Sequence, residues 1–118
     1  EGILKFRKNL TSKINEIKIN GKTIAGYGAS AKGNTLLNYC NLGQSDLLCI
    51  FDATPEKQNK LTPGTNITIL QENQLKAVNP DYLLLLAWNY AEEIIEKTPE
   101  FRKNGGKYIC PLPSFRII

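Results

Sequence analysis

The stretch TIAGYGASAKGN, residues 23–34, carries the passage from strand to glycine turn to helix around which the chain is built. Thr23, Ile24 and Ala25 suit a short buried strand, and Gly26, Gly28 and Gly33 supply backbone freedom where a chain turns sharply. A helix opening near Gly33 leaves its first N–H groups without internal partners, so turn and helix start together form a donor site for phosphate or another anion. Lys32 adds a positive charge there. The spacing departs from the G-x-G-x-x-G dinucleotide fingerprint by two inserted residues, and Asn34 after Gly33 removes the Gly-Lys-Ser/Thr ending of a P-loop. Taken alone, such a turn can also serve only to pack helix on strand.

Upstream, Ile3, Phe6, Leu10, Ile14 and Ile17 recur at three- and four-residue steps, which predicts an amphipathic helix stopped by Asn20 and Gly21. Residues 1–20 are expected to be a leading helix or connector from an upstream region, and residues 21–118 the domain proper. Downstream, Asn34 to Cys40 predicts a short helix and Leu47 to Phe51 a strand buried on both faces. Asp52 follows, where a carboxylate can accept from ribose hydroxyls or serve a turn. Residues 53–66, ATPEKQNKLTPGTN, form a long polar loop whose Lys57, Gln58 and Lys60 are placed to cover a ligand at the strand ends.

Ile67 to Leu70 predicts a strand and Glu72 to Val78 a helix. YLLLLA, residues 82–87, has the character of a central parallel strand, and it ends in Trp88, Asn89 and Tyr90, an aromatic-amide cluster able to stack on a base or sugar. Ala91 to Lys97 predicts a helix that Pro99 breaks or restarts, and Lys107 to Cys110 is the last strand. The tail from Ser114 to Ile118 is expected to be too short for a further unit. This alternation predicts an α/β fold: a three-layer, Rossmann-like, mostly parallel sheet of five strands in the order 3-2-1-4-5, with helices on both faces. The glycine turn, Asp52 and Trp88 with Asn89 then share one rim.

At 118 residues the chain fits one domain. A net charge of +4 carried by scattered lysines gives no basic run of the kind nucleic acid requires, and no leader or membrane helix is legible. Three scattered cysteines suit reduced buried thiols in a cytoplasmic protein. The chain opens on Glu1 and holds neither methionine nor histidine. A piece of a longer protein is therefore expected, one that binds and positions rather than catalyses.

Four ordered blocks, GYGASAKGNTLLNYC, FDATPEKQNKLTPGTNI, NPDYLLLLAWNYAEEI and GGKYICPLP, resemble the C-terminal domain of the sugar C-methyltransferases. Proteins of that family join a small zinc-binding N-terminal domain, a central S-adenosylmethionine-binding domain and a Rossmann-like C-terminal domain, and methylate a carbon of a nucleotide-linked deoxysugar. The resemblance implies that zinc, methyl donor and the catalytic His and Glu belong to the upstream methyltransferase domains of the same chain, leaving this piece inactive alone. It implies that the nucleotide-linked deoxysugar meets Tyr27, Gly28, Ser30, Lys32, Asn34, Trp88, Asn89 and Tyr90, with Asp52 and Lys57 as further ribose or loop contacts. The chain departs from the family in the loop, with Asn59 where glycine is usual and Asn66 and Thr68 in place of His and Pro. Two other readings are a stand-alone NAD-type module using Gly26, Gly28 and Asp52, and a structural domain that dimerises or supports its neighbour.

Overall fold

The computed structural model describes residues 2–118, with side chains from Lys5 onward, so the side chain of Ile3 lies outside the described residues. Helix α1 runs Gly2–Ile19. Its stripe of Leu10, Ile14 and Ile17 is buried, and Phe6 packs on the same cluster, so α1 lies on the sheet. Gly21 ends it at φ +74°: its N–H donates to Lys18 O, and the Lys22 N–H reaches back to Ile17 O at 3.1 Å. This left-handed stop satisfies carbonyls that the last turn leaves open.

Strands β1 (Ile24–Tyr27), β2 (Ile50–Asp52), β3 (Ile69–Gln71), β4 (Tyr82–Leu85), β5 (Lys107–Cys110) and β6 (Arg116–Ile117) alternate with α2 (Ala31–Tyr39), α3 (Leu75–Val78), α4 (Ala91–Lys97) and α5 (Pro99–Lys103). They form one sheet in the order β3-β2-β1-β4-β5-β6. The first five are parallel, with Gly26 opposite Ile50 and Leu84. The predicted order holds, but the tail does form a further unit, an antiparallel sixth strand on β5. Ile118 and Tyr108 exchange N–H···O bonds of 2.8 and 2.9 Å. The physical reason is that the outer edge of β5 would otherwise present unpaired backbone groups beside fully buried Tyr108, Ile109 and Cys110.

Strand residues alternate between two cores. Ile24, Ile50, Leu84 and Ile109 join Leu10, Ile14 and Leu37 under α1 and α2. Ala25, Phe51, Leu83, Leu85 and Tyr108 join Ile94 and Phe101 under α4 and α5. Three layers result, as the sequence predicts.

Residues 53–66 are not a loose excursion. After a 3-10 turn at Pro55–Lys57, Asn59 N–H donates to Ile69 O, Ile69 N–H to Lys60 O and Thr62 N–H to Ile67 O, making a small hairpin in front of β3. Asn59 and Asn66 adopt φ of +64° and +55°. Asparagine tolerates this left-handed conformation, which most other side chains resist.

Candidate functional site

The glycine turn joins β1 to α2 by close approach to the end of β4. Gly28 has φ +92°, and a Cβ there would stand 2.6 Å from Ala87 Cβ. A Cβ on Gly33 would stand 2.5 Å from Leu86 Cβ, so Gly33 lets α2 press on β4. The third glycine of the dinucleotide fingerprint has this same packing task, here kept despite two inserted residues. Ser30 caps α2, its Oγ accepting the Gly33 N–H at 3.0 Å.

Most of the expected donor cradle is filled from within. Gly28 N–H donates to Phe51 O at 2.8 Å, Ser30 N–H to Gly28 O at 2.9 Å, and Ala29 N–H to Asp52 Oδ2 at 2.7 Å. Ala31 and Lys32 carry the N–H groups at the start of α2 that meet no acceptor among the described residues. The other oxygen of Asp52 accepts the Thr54 N–H at 2.7 Å, so the carboxylate ties turn to loop. Burial pushes its pKa up, but the bonds from Thr54 and Ala29 and the charge of Lys57 outweigh that and hold it below the ordinary value. Lys57 Nζ donates to Ala29 O at 2.7 Å and Gln58 Nε2 to Asp52 O at 3.3 Å, completing the stitch.

The predicted residues separate into groups. Lys32 and Trp88 come together, lining with Thr35, Leu36, Tyr39 and Leu112 a shallow, open, apolar hollow of about 330 Å³. Exposed Asn89 and Tyr90 lie beyond Trp88 in a second hollow of about 240 Å³ with Glu92, Glu93 and Arg116. Asn34 turns to the hairpin tip, donating to Pro63 O at 3.1 Å and accepting from Thr65 Oγ1 at 3.2 Å. Tyr27 is buried on the opposite face, under α4, with its hydroxyl 2.5 Å from Glu72 Oε2. Lys97 Nζ lies 3.0 Å from that same oxygen. Burial, reinforced by the Glu72 carboxylate, pushes the Tyr27 phenol above its ordinary range; the Tyr27 bond, opposed by burial and helped by Lys97, holds Glu72 below its own.

Tyr39 and Thr35 are cavity residues that sequence reasoning missed. Lys32, Leu36 and Tyr39 stand at i, i+4 and i+7, a helical face that could have disclosed the wall. The Tyr27–Glu72–Lys97 group has no such local signal. Among the described residues no cluster of His, Cys, Asp or Glu is assembled to hold a metal, and the three cysteines are free and buried. Burial pushes the Cys49 thiol up to about 11, away from the thiolate a zinc site needs. No described helix is long and apolar enough to cross a membrane.

A glycine turn, a capped helix start and an aromatic cavity thus share the carboxyl ends of β1, β2 and β4. The family model for the C-methyltransferase C-terminal domain matches residues 1–113. This chain belongs to that family. C-methyltransferase NovU of Streptomyces niveus is 44% identical over 114 residues, covering 97% of this chain and 27% of that relative. The chain therefore spans about a quarter of the length of the curated relative it matches. In this C-methyltransferase C-terminal domain the blocks at β1–α2, β2 and its hairpin, and β4–α4 all meet at the rim just described.

Proposed function

We propose that this domain holds the nucleotide-linked deoxysugar of an S-adenosylmethionine-dependent C-methyltransferase, while the rest of the full-length protein binds the methyl donor and carries the catalytic groups. The observation that carries this reading is the shared cavity of Lys32 and Trp88. An ammonium and open helix-start N–H groups beside an indole and a phenol ring suit a diphosphate linked to a flat base or a sugar.

S-adenosylmethionine, bound elsewhere in the full-length protein, supplies the electrophilic methyl group. The residues of this chain bind and orient. Ser30 fixes the start of α2 so that the Ala31 and Lys32 N–H groups face the anion, and Lys32 offsets its charge. Trp88 supplies an apolar wall, with Asn89 and Tyr90 offering polar contacts next to it. Gly28, Asp52 and Lys57 keep the turn in shape, and Asn34 holds the hairpin against α2. Asp52, with both oxygens accepting N–H groups, argues against the NAD-type reading, in which this carboxylate would meet a ribose.

Lys32→Ala in the full-length enzyme tests the proposal. The KM for the nucleotide-sugar is expected to rise about tenfold, the worth of one charged hydrogen bond, with kcat little changed. An unchanged KM removes Lys32 from the site.

A further inference from the structure

Below the rim, on the face of α1 and α2, a third and larger hollow remains open. Phe6, Tyr39, Pro111, Leu112, Pro113 and Phe115 dominate the lining of this open hollow, about 550 Å³ in volume. Tyr39 and Leu112 also wall the hollow of Lys32 and Trp88, so the two hollows adjoin across these residues. Prolines fix the backbone on one side, and the Tyr39 ring, 39% exposed, is held under the Arg7 guanidinium at 5.3 Å.

We infer that this groove seats the N-terminal remainder of the same C-methyltransferase polypeptide. The family model describes a C-terminal domain, and the chain accounts for 27% of NovU, so in such a protein most of the polypeptide precedes this domain. Polypeptide arriving from that side joins α1, and the first turns of α1, through Lys5 and Phe6, are a wall of the groove. A short connection therefore suffices to place the incoming domain there. Adjacency to the hollow of Lys32 and Trp88 gives the contact a purpose, because a domain seated in the groove reaches the edge of that hollow and brings its own surface against whatever binds there. Lys5 and Lys32 stand at the outer ends of the two hollows, so the surface of the incoming segment that fits them is apolar with acidic margins. The inference rests on the reading that this domain serves a longer methyltransferase, and not on which ligand Lys32 and Trp88 bind.

A photoreactive benzoylphenylalanine placed at Tyr39, and separately at Phe115, in the full-length protein tests it without substrate. After illumination and digestion, mass spectrometry is expected to show the probe joined to a peptide that precedes this domain. Mixing isotopically heavy and light protein distinguishes the same copy from a second one. The same probe at Ile19, which is 85% exposed at the far end of α1, serves as the control and is expected to capture none. Capture of a preceding segment of the same copy from either wall supports the inference. It is overturned if both walls capture only a second copy, only residues of this domain, or nothing, or if Ile19 captures the preceding segment as well as the groove does. Since no ligand enters the experiment, its failure leaves the Lys32 kinetics to judge the substrate reading separately.

Discussion

Replacing Asp52 by Asn separates the two roles a carboxylate can play at the end of β2. Asp52 is 9% exposed, and its two oxygens each accept one N–H, from Ala29 and Thr54, at 2.7 Å. An asparagine has the same size but one acceptor, so its NH2 is forced toward one of the two donors. The charge-assisted bond lost, with the donor left unpaired, costs about 1.5–3 kcal/mol. The attraction to Lys57 adds about 0.3–1 kcal/mol, the scale of a partly solvated pair. The expected loss of about 2–4 kcal/mol lowers the urea midpoint by about 1–3 M, for an m-value of about 1.5 kcal/mol/M.

Acid supplies a second test of the same variant. The Asp52 pKa lies below its ordinary value of 3.8, so as pH falls the unfolded chain takes up the proton first. The stability this group contributes is complete above the unfolded value and is lost as pH falls through the folded one. A protonated Asp52, like asparagine, is uncharged and must turn a donor toward one of the two N–H groups, so the gap between wild type and variant should close as pH falls through the folded-state value. Equal stability at neutral pH, or a gap that persists undiminished in acid, would refute the assignment of Asp52 to the turn and return it to the ligand.

Gly33→Ala puts a Cβ 2.5 Å from Leu86 Cβ and 3.0 Å from the Leu86 carbonyl oxygen. Overpacking at about 1–3 kcal/mol should exceed the helix-propensity gain of about 1 kcal/mol, so urea unfolding is expected to show a net loss, and a more stable variant would mean that α2 can slide. Tyr27→Phe removes the bond to Glu72 and should cost about 1 kcal/mol. In an NMR titration of the same variant, the Glu72 carboxyl should move up toward its ordinary 4.5; an unmoved Glu72 would place its anchor on Lys97 alone. Trp88→Ala in the full-length enzyme should raise the nucleotide-sugar KM about tenfold, the lower part of the range for stacking on an aromatic side chain. A variant with wild-type KM and intact circular dichroism would remove Trp88 from the site.

Much of the rim could be read from the sequence because the features that build it are local. The strand-turn-helix passage at residues 23–34, the apolar run at 82–87 and the Asn-Gly and Pro stops each depend on residues within a few positions of one another. Lys32 and Trp88 meet because right-handed crossovers place β4 beside β1, a topological rule that needs no side-chain detail. The sixth strand was not legible: its two residues carry no periodicity, and they pair only because β5 offers an edge. Nor did a polar loop announce that it would fold into a hairpin against Asn34.

The sequence by itself determined the fold class, the order of the five parallel strands and the rim on which candidate residues converge, because hydrophobic periodicity and glycine and proline geometry act over short distances. The tertiary structure alone decided which of those residues face a cavity and which face one another. Asp52 and Lys57 spend their charge on the glycine turn, Tyr27 spends its hydroxyl on Glu72, and Lys32 is left beside Trp88. A buried polar group must find a partner wherever packing brings one, and parallel crossovers bring together residues that lie far apart in the chain.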